Sequence, residues 1–137
     1  MADTGYSGTP LAKKLGLKPG MTLLTVLAPK EYSAWLGELP EGVKLTKKTK
    51  LPLDAAHIFV TESAVLNILL SSLRRDLKSD GFVWVSWCKK SAKVPTDITE
   101  DVIRELALPL GFVDVKVCAV SEVWSGLKLV IRKSERK

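Results

Sequence analysis

The chain has 137 residues, a mass of 15.0 kDa and a formal net charge of +6, with 46% hydrophobic and 26% charged positions. That length suits a single domain over residues 1–137, large enough to bury a real core and too short for two. The composition excludes a disordered chain, a collagen-like repeat and a disulfide scaffold.

The first eight residues, MADTGYSG, are polar and glycine-rich, and a loose arm is expected there. Thr9-Pro10 reads as an N-cap followed by a first-turn proline, with Leu11, Lys14 and Leu15 at helical spacing and Gly16 as the stop. Residues 21–28 (MTLLTVLA) form an unbroken apolar run between Gly20 and Pro29, with the length and branching of a buried central strand. Pro29 opens a short helix with Tyr32, Trp35 and Leu36 on its apolar face, ended by Gly37. A brief strand at 43–45 leads into a basic loop, in which Lys44, Lys47, Lys48 and Lys50 fall within seven residues. Residues 55–60 (AAHIFV) read as a second buried strand.

Thr61 or Ser63 can cap the helix that follows, where Val65, Leu66, Leu69, Leu70, Leu73 and Leu77 make one wide apolar face. Arg74, Arg75 and Lys78 suit the negative end of its dipole. Asp80-Gly81 is expected to turn the chain into a third buried strand at 82–87 (FVWVSW). After a loop with three lysines, Asp97 and Glu100 have the spacing of a capping box, opening a helix buried through Val102, Ile103, Leu106 and Leu110. Residues 113–119 and 127–131 alternate apolar and polar positions, as strands with one wetter face do, and join through 122–126 as a long hairpin. Lys133, Arg136 and Lys137, just after Arg132, make residues 133–137 a basic tail, expected to fray.

The order strand, helix, strand, strand, helix, strand, helix, strand, strand predicts a three-layer, Rossmann-like α/β domain. Its sheet is mostly parallel, because parallel neighbours need helical crossovers, and it ends in an antiparallel hairpin. The loop at 44–50 and the tail account for the basicity, leaving a nearly neutral body. Neither patch contains an aromatic to stack on a base, so nucleic acid is the less favoured partner. No apolar run approaches the ~18 residues that span a bilayer, so no membrane association is expected and the chain reads as cytoplasmic with reduced thiols.

From Ala55 onward the sequence resembles the C-terminal half of the class I methyltransferase fold, through SSLRRDLKSDGFVWVSW, LALPLGFVDVKV and the closing WSGLKLVIRK. That resemblance implies the strand order 2-1-3-4-6-5 in this chain's own counting, with the last strand antiparallel, and a chain about one strand-helix unit short of the usual fold. It breaks after the first strand. Methyltransferases place a glycine-rich turn there so that the backbone can approach the cofactor, whereas this chain has Ala28-Pro29-Lys30-Glu31. Where an acidic residue for ribose hydroxyls is expected, it has Thr46, Lys47 and Lys48. Taken whole, the chain is similar to a family of small bacterial proteins called domain of unknown function 3052, through GYSGTPLAKKLG, VSWCKK, TDITEDV and VKVCAVSEVWSGLKLV. That family brings no activity and no cofactor with it.

The chemistry-bearing residues point to binding more than to catalysis. His57, the sole histidine, is expected at a strand start, roughly 16 Å from Cys88 at the far end of the neighbouring strand, too far for a nucleophile pair. One strand separates Cys88 from Cys118, which rules out an unstrained disulfide, and Lys89 and Lys90 would lower the Cys88 pKa. Trp84 and Trp87 have opposite strand parity and project to opposite faces. Ser7 lies in the arm without a base, and no catalytic set, Walker loop or metal signature appears. The strongest candidate is the loop leaving the third buried strand for a helix N-terminus. There Lys89, Lys90, Lys93 and Thr96, with Trp124 from the hairpin, form a possible contact set for a small anionic ligand or a protein partner at the carboxyl edge of the sheet. The expected function is a non-catalytic methyltransferase-like module, with a nucleic-acid-associated protein and a divergent methyltransferase as alternatives.

Overall fold

The computed structural model describes residues 9–49 and 52–136, so the expected arm at 1–8 and Lys50 lie outside it. Six strands make one sheet: β1 (Thr22–Val26), β2 (Lys44–Thr46), β3 (Leu53–Phe59), β4 (Leu77–Cys88), β5 (Phe112–Ala119) and β6 (Trp124–Ile131). Their order is β2-β1-β3-β4-β6-β5. The pairs among β1 to β4 are parallel, while β6 runs antiparallel to both β4 and β5. This is the mostly parallel α/β sheet with a closing antiparallel pair that the element order predicts.

Four helices cover the two faces: α1 (Leu11–Leu15) and α2 (Tyr32–Leu36) on one, α3 (Ser63–Asp76) and α4 (Glu100–Ala107) on the other. The strands are apolar in both parities, so each face has its own core. Leu24, Ile58, Val83, Val85, Trp87 and Leu129 pack with Leu66, Leu70 and Ile103. Leu23, Ala55, Phe59, Phe82 and Trp84 pack with Leu15, Tyr32 and Leu36. Trp84 and Trp87 therefore lie on opposite sides. The Trp84 indole N–H donates to the Leu15 carbonyl at 2.9 Å, tying the end of α1 to the middle of the sheet.

Several local features differ from the sequence reading. Asp80-Gly81 is no turn but part of β4, which starts at Leu77 rather than at Phe82. The β3–β4 register shifts between the pairs Leu53–Leu77 and Ala55–Phe82, so the extra residues bulge. Asp54 holds that bulge through the Lys78 ammonium at 2.6 Å and the Thr22 N–H at 2.9 Å. A Cβ on Gly81 would stand 2.7 Å from Leu77 Cγ and 2.8 Å from the Asp54 carbonyl oxygen. Only glycine permits that approach.

The capping box is also redistributed. Thr99, not Asp97, caps α4 by accepting from the Val102 N–H at 3.2 Å. Asp97 instead accepts from the N–H and the hydroxyl of Ser63, both at 2.7 Å, and so caps α3 from outside it. Neither Thr61 nor Ser63 occupies the N-cap position of α3, which belongs to Glu62. β6 begins at Trp124, three residues before the expected Leu127, which shortens the hairpin link. A register shift between Asp114 and Lys116 breaks the alternation of β5 and leaves Val115 and Val117 half exposed on the outer strand. The basic tail has local structure through residue 136. Residues Lys133–Glu135 form a 3-10 turn, Arg132 and Arg136 each donate to a backbone carbonyl at 2.8 Å, and Glu135 meets Arg74 at 3.4 Å. Among the described residues no helix is long and apolar enough to cross a membrane.

Candidate functional site

The carboxyl ends of β1, β2 and β3 open onto one edge of the sheet, where the chain between β1 and α2 is the central feature. Leu27 leaves β1 with φ 59°, a left-handed backbone uncommon for a residue with a side chain, and is 68% exposed. Pro29 follows and its carbonyl accepts the Tyr32 N–H at 3.0 Å, starting α2. Three hollows surround this turn.

The first, of about 260 Å³, lies between the turn and the end of β2, with Lys30 and Lys47 on its walls and Thr25, Ser33 and Thr46 beside them. Among the described residues no carboxylate lines it. The second, of about 330 Å³, lies between Trp35 and Trp124 and carries Glu31 and Glu122. The third, of about 350 Å³, is walled by Leu27, Phe59 and Trp124 and carries Glu62. The hollows thus differ in charge: the first carries two lysines, and the second and third carry glutamates.

Under the first hollow lies a buried polar chain. Tyr32 Oη is 2.7 Å from His57 Nδ1, and His57 Nε2 is 2.7 Å from Ser86 Oγ. His57 is in the middle of β3, not at a strand start, because the strand begins at Leu53. It is fully buried and stacks on Phe59, and burial pushes its pKa down to about 3. Burial also drives the Tyr32 phenol upward. Both rings are neutral at ordinary pH, and no buried polar side-chain atom among the described residues lacks a partner. This chain reads as a satisfied core network beneath the hollow floor.

The residues fit S-adenosylmethionine, the cofactor that the fold implies, poorly. A cofactor cradled by backbone needs N–H donors at the turn after β1, and Pro29 has none. Beyond β2, Lys47 stands where a carboxylate would accept hydroxyl hydrogens.

The contact set read from the sequence is distributed along the edge. Trp124 lines the second and third hollows and meets Phe59 edge-to-face with centroids 5.1 Å apart. Lys89 is half-buried, with its N–H on the Val123 carbonyl at 2.8 Å, while Lys90 and Lys93 are exposed around a 3-10 turn. Thr96 spends its hydroxyl locally, donating to the Thr61 carbonyl at 2.7 Å and accepting the Ile98 N–H at 3.1 Å. These four line none of the three hollows. Sequence reasoning missed Lys30 as a partner of Lys47, since only the parallel pairing of Leu24 with Thr46 brings their neighbourhoods together.

Cys88 and Cys118 are free, paired in the sheet with Trp124 and Gly126 of the intervening β6. Burial raises the Cys88 pKa, so Lys89 and Lys90 do not activate that thiol. In register His57 lies opposite Trp84, four residues short of Cys88, or about 13 Å along the strand. Among the described residues no group of histidine, cysteine and carboxylate side chains has the arrangement of a metal site.

No protein-family model matches the chain, and no curated protein does. Solved structures do. A protein from Sulfolobus solfataricus described as a type 11 methyltransferase superposes with a TM-score of 0.62 at 16% identity, covering 93% of this chain and 90% of that one. A SAM-dependent methyltransferase from Aquifex aeolicus gives 0.59 at 18% identity, over 88% and 87% of the two chains. The ribosomal protein L11 methylase of Lactobacillus delbrueckii subsp. bulgaricus gives 0.54 at 16% identity, over 88% and 74%. At these identities the likeness carries the fold alone: the chain has a Rossmann-like, methyltransferase-type α/β sheet.

Proposed function

We propose that the protein is a non-catalytic, methyltransferase-like module that binds a small phosphate- or carboxylate-bearing molecule at the carboxyl edge of its sheet. The observation that carries this reading is the first hollow, where Lys30 and Lys47 flank three hydroxyl-bearing side chains. Lysine ammonium groups are compact point charges suited to such anions. The same edge is the usual ligand position in open α/β sheets. The one histidine is buried and neutral beneath the hollow, and among the described residues no carboxylate lines it, which supports binding over general-base chemistry there. On the same footing we assign the chain to the small bacterial family of unknown function that its motifs resemble, and to the cytoplasm, where free thiols persist.

A thermal-shift panel of phosphorylated metabolites, nucleotides and S-adenosylmethionine tests this reading. A ligand present at 100 times its dissociation constant adds about 2.7 kcal/mol. An anionic compound should shift the parent and lose its effect in Lys30→Ala/Lys47→Ala. A shift abolished instead by Lys89→Ala/Lys90→Ala/Lys93→Ala moves the ligand to the loop that ends at Thr96, on the Trp124 side of the edge. A shift that survives both sets, or none with any compound, overturns the small-ligand reading, and a shift with S-adenosylmethionine restores the divergent methyltransferase.

A further inference from the structure

Away from the carboxyl edge, on the face covered by α1, lysines converge. Lys128, in the middle of β6, is the ladder partner of Lys116 on β5, so both side chains leave the same face. The Lys128 ammonium lies 4.3 Å over the centroid of Phe82. It is also 3.3 Å from the point that a Cβ on Gly16 would occupy, which puts it beside the C-terminal end of α1. Lys18 follows in the link to β1, and Lys14 of α1 donates to the Ala119 carbonyl at 3.3 Å.

This arrangement has a cost in the free protein. Like charges facing each other across a ladder repel, and a half-buried ammonium loses hydration. Burial first, and then Lys116 and Lys18, push the Lys128 pKa below the usual lysine value. The ring of Phe82 offsets part of this through a cation–π contact. The ion pairs among the described residues lie elsewhere, on Arg74, Lys78 and Arg104. Lys18, Lys116 and Lys128 join none of them.

We propose that Lys18, Lys116 and Lys128 form a binding surface for contiguous phosphates, as carried by an inorganic oligophosphate or a nucleic-acid backbone. A single carboxylate neutralises one of these charges, whereas a run of phosphates supplies one charge per unit along the row. Among the described residues no aromatic stands among the exposed large hydrophobic side chains, so the recognition proposed is of backbone charge. Lys128 lies opposite Trp84 in mid-sheet, apart from the hollow at Lys30 and Lys47, and the two sites stand or fall separately.

Titration calorimetry of the full chain with tripolyphosphate and with a short oligothymidylate, at low and moderate salt, tests the proposal. Saturable oligothymidylate binding should weaken with salt, log K falling against log salt with a slope of about −0.7 per phosphate contacted. Lys116→Ala/Lys128→Met should weaken it at least about tenfold, as should the milder Lys116→Gln/Lys128→Gln, while Lys44→Ala/Lys48→Ala leaves it unchanged. Tripolyphosphate binding alone identifies a free oligophosphate, and tighter oligothymidylate binding identifies a nucleic-acid backbone. No binding of either probe at low salt, or an equal loss in the Lys44/Lys48 variant, overturns the proposal.

Discussion

Leu27 combines a left-handed backbone with a side chain mostly in water, so little burial offsets its conformation. Glycine removes the clash between Cβ and the backbone, at the expense of a more flexible unfolded chain. Leu27→Gly is therefore expected to gain up to about 1 kcal/mol in urea unfolding, and Leu27→Val to lose stability, since β-branching is least compatible with positive φ. A loss in the glycine variant would show that the side chain holds the turn. His57 makes a second prediction, in pH. Its pKa is near 6.5 unfolded and about 3 folded, so between those values the unfolded chain binds the extra proton. The stability it confers is complete above about pH 6.5 and falls on acidification by up to about 1.4 kcal/mol per pH unit until about pH 3. Asp54, Asp97 and Asp114 are held below the usual carboxylate value by Lys78, Ser63 and Arg104 respectively, so their contributions are lost only at lower pH. Urea midpoints from neutrality to pH 5 should fall in the parent and flatten in His57→Phe, and parallel curves would refute the assignment.

The bulge that opens β4 depends on a residue without a side chain. Gly81→Ala drives a Cβ into Leu77 and the Asp54 carbonyl and should cost about 1–3 kcal/mol, read as a lower denaturation midpoint. A neutral result would mean that β4 relaxes away from β3 there. This bulge also marks where reading the sequence stops working. Strand order and the two-sided core are legible because runs such as MTLLTVLA and FVWVSW are apolar in both parities, which only a covered sheet explains. Asp80-Gly81 is chemically a turn pair and becomes strand only because Asp54, from β3, holds Lys78 and Thr22 around it. Asp97 has the spacing of a local cap, yet its partner Ser63 is 34 residues away. The first hollow was hidden for the same reason, since Lys30 and Lys47 meet only through the pairing of β1 with β2. Period and capping chemistry are local, and these contacts are not.

Among the described residues the two faces of the sheet are unequally covered by helix. The 14-residue α3 and 8-residue α4 close one face, and two helices of five residues each close the other. Lysine repulsion lies on the thinner side. Lys128→Met is therefore expected to raise the melting temperature of the free protein while weakening oligophosphate binding, the opposition found when a functional group is held at the expense of stability. A lower melting temperature would show that the contact with Phe82 outweighs the repulsion. The bond from Trp84 to Leu15 has a consequence on that same side. Trp84 is completely enclosed, and its indole N–H ends on the last residue of α1. If α1 lifts, that donor loses its acceptor and water reaches the ring. The molecule thus carries an intrinsic optical gauge of its thinner wall, readable as a red shift in Trp84 emission once Trp35, Trp87 and Trp124 are replaced by phenylalanine.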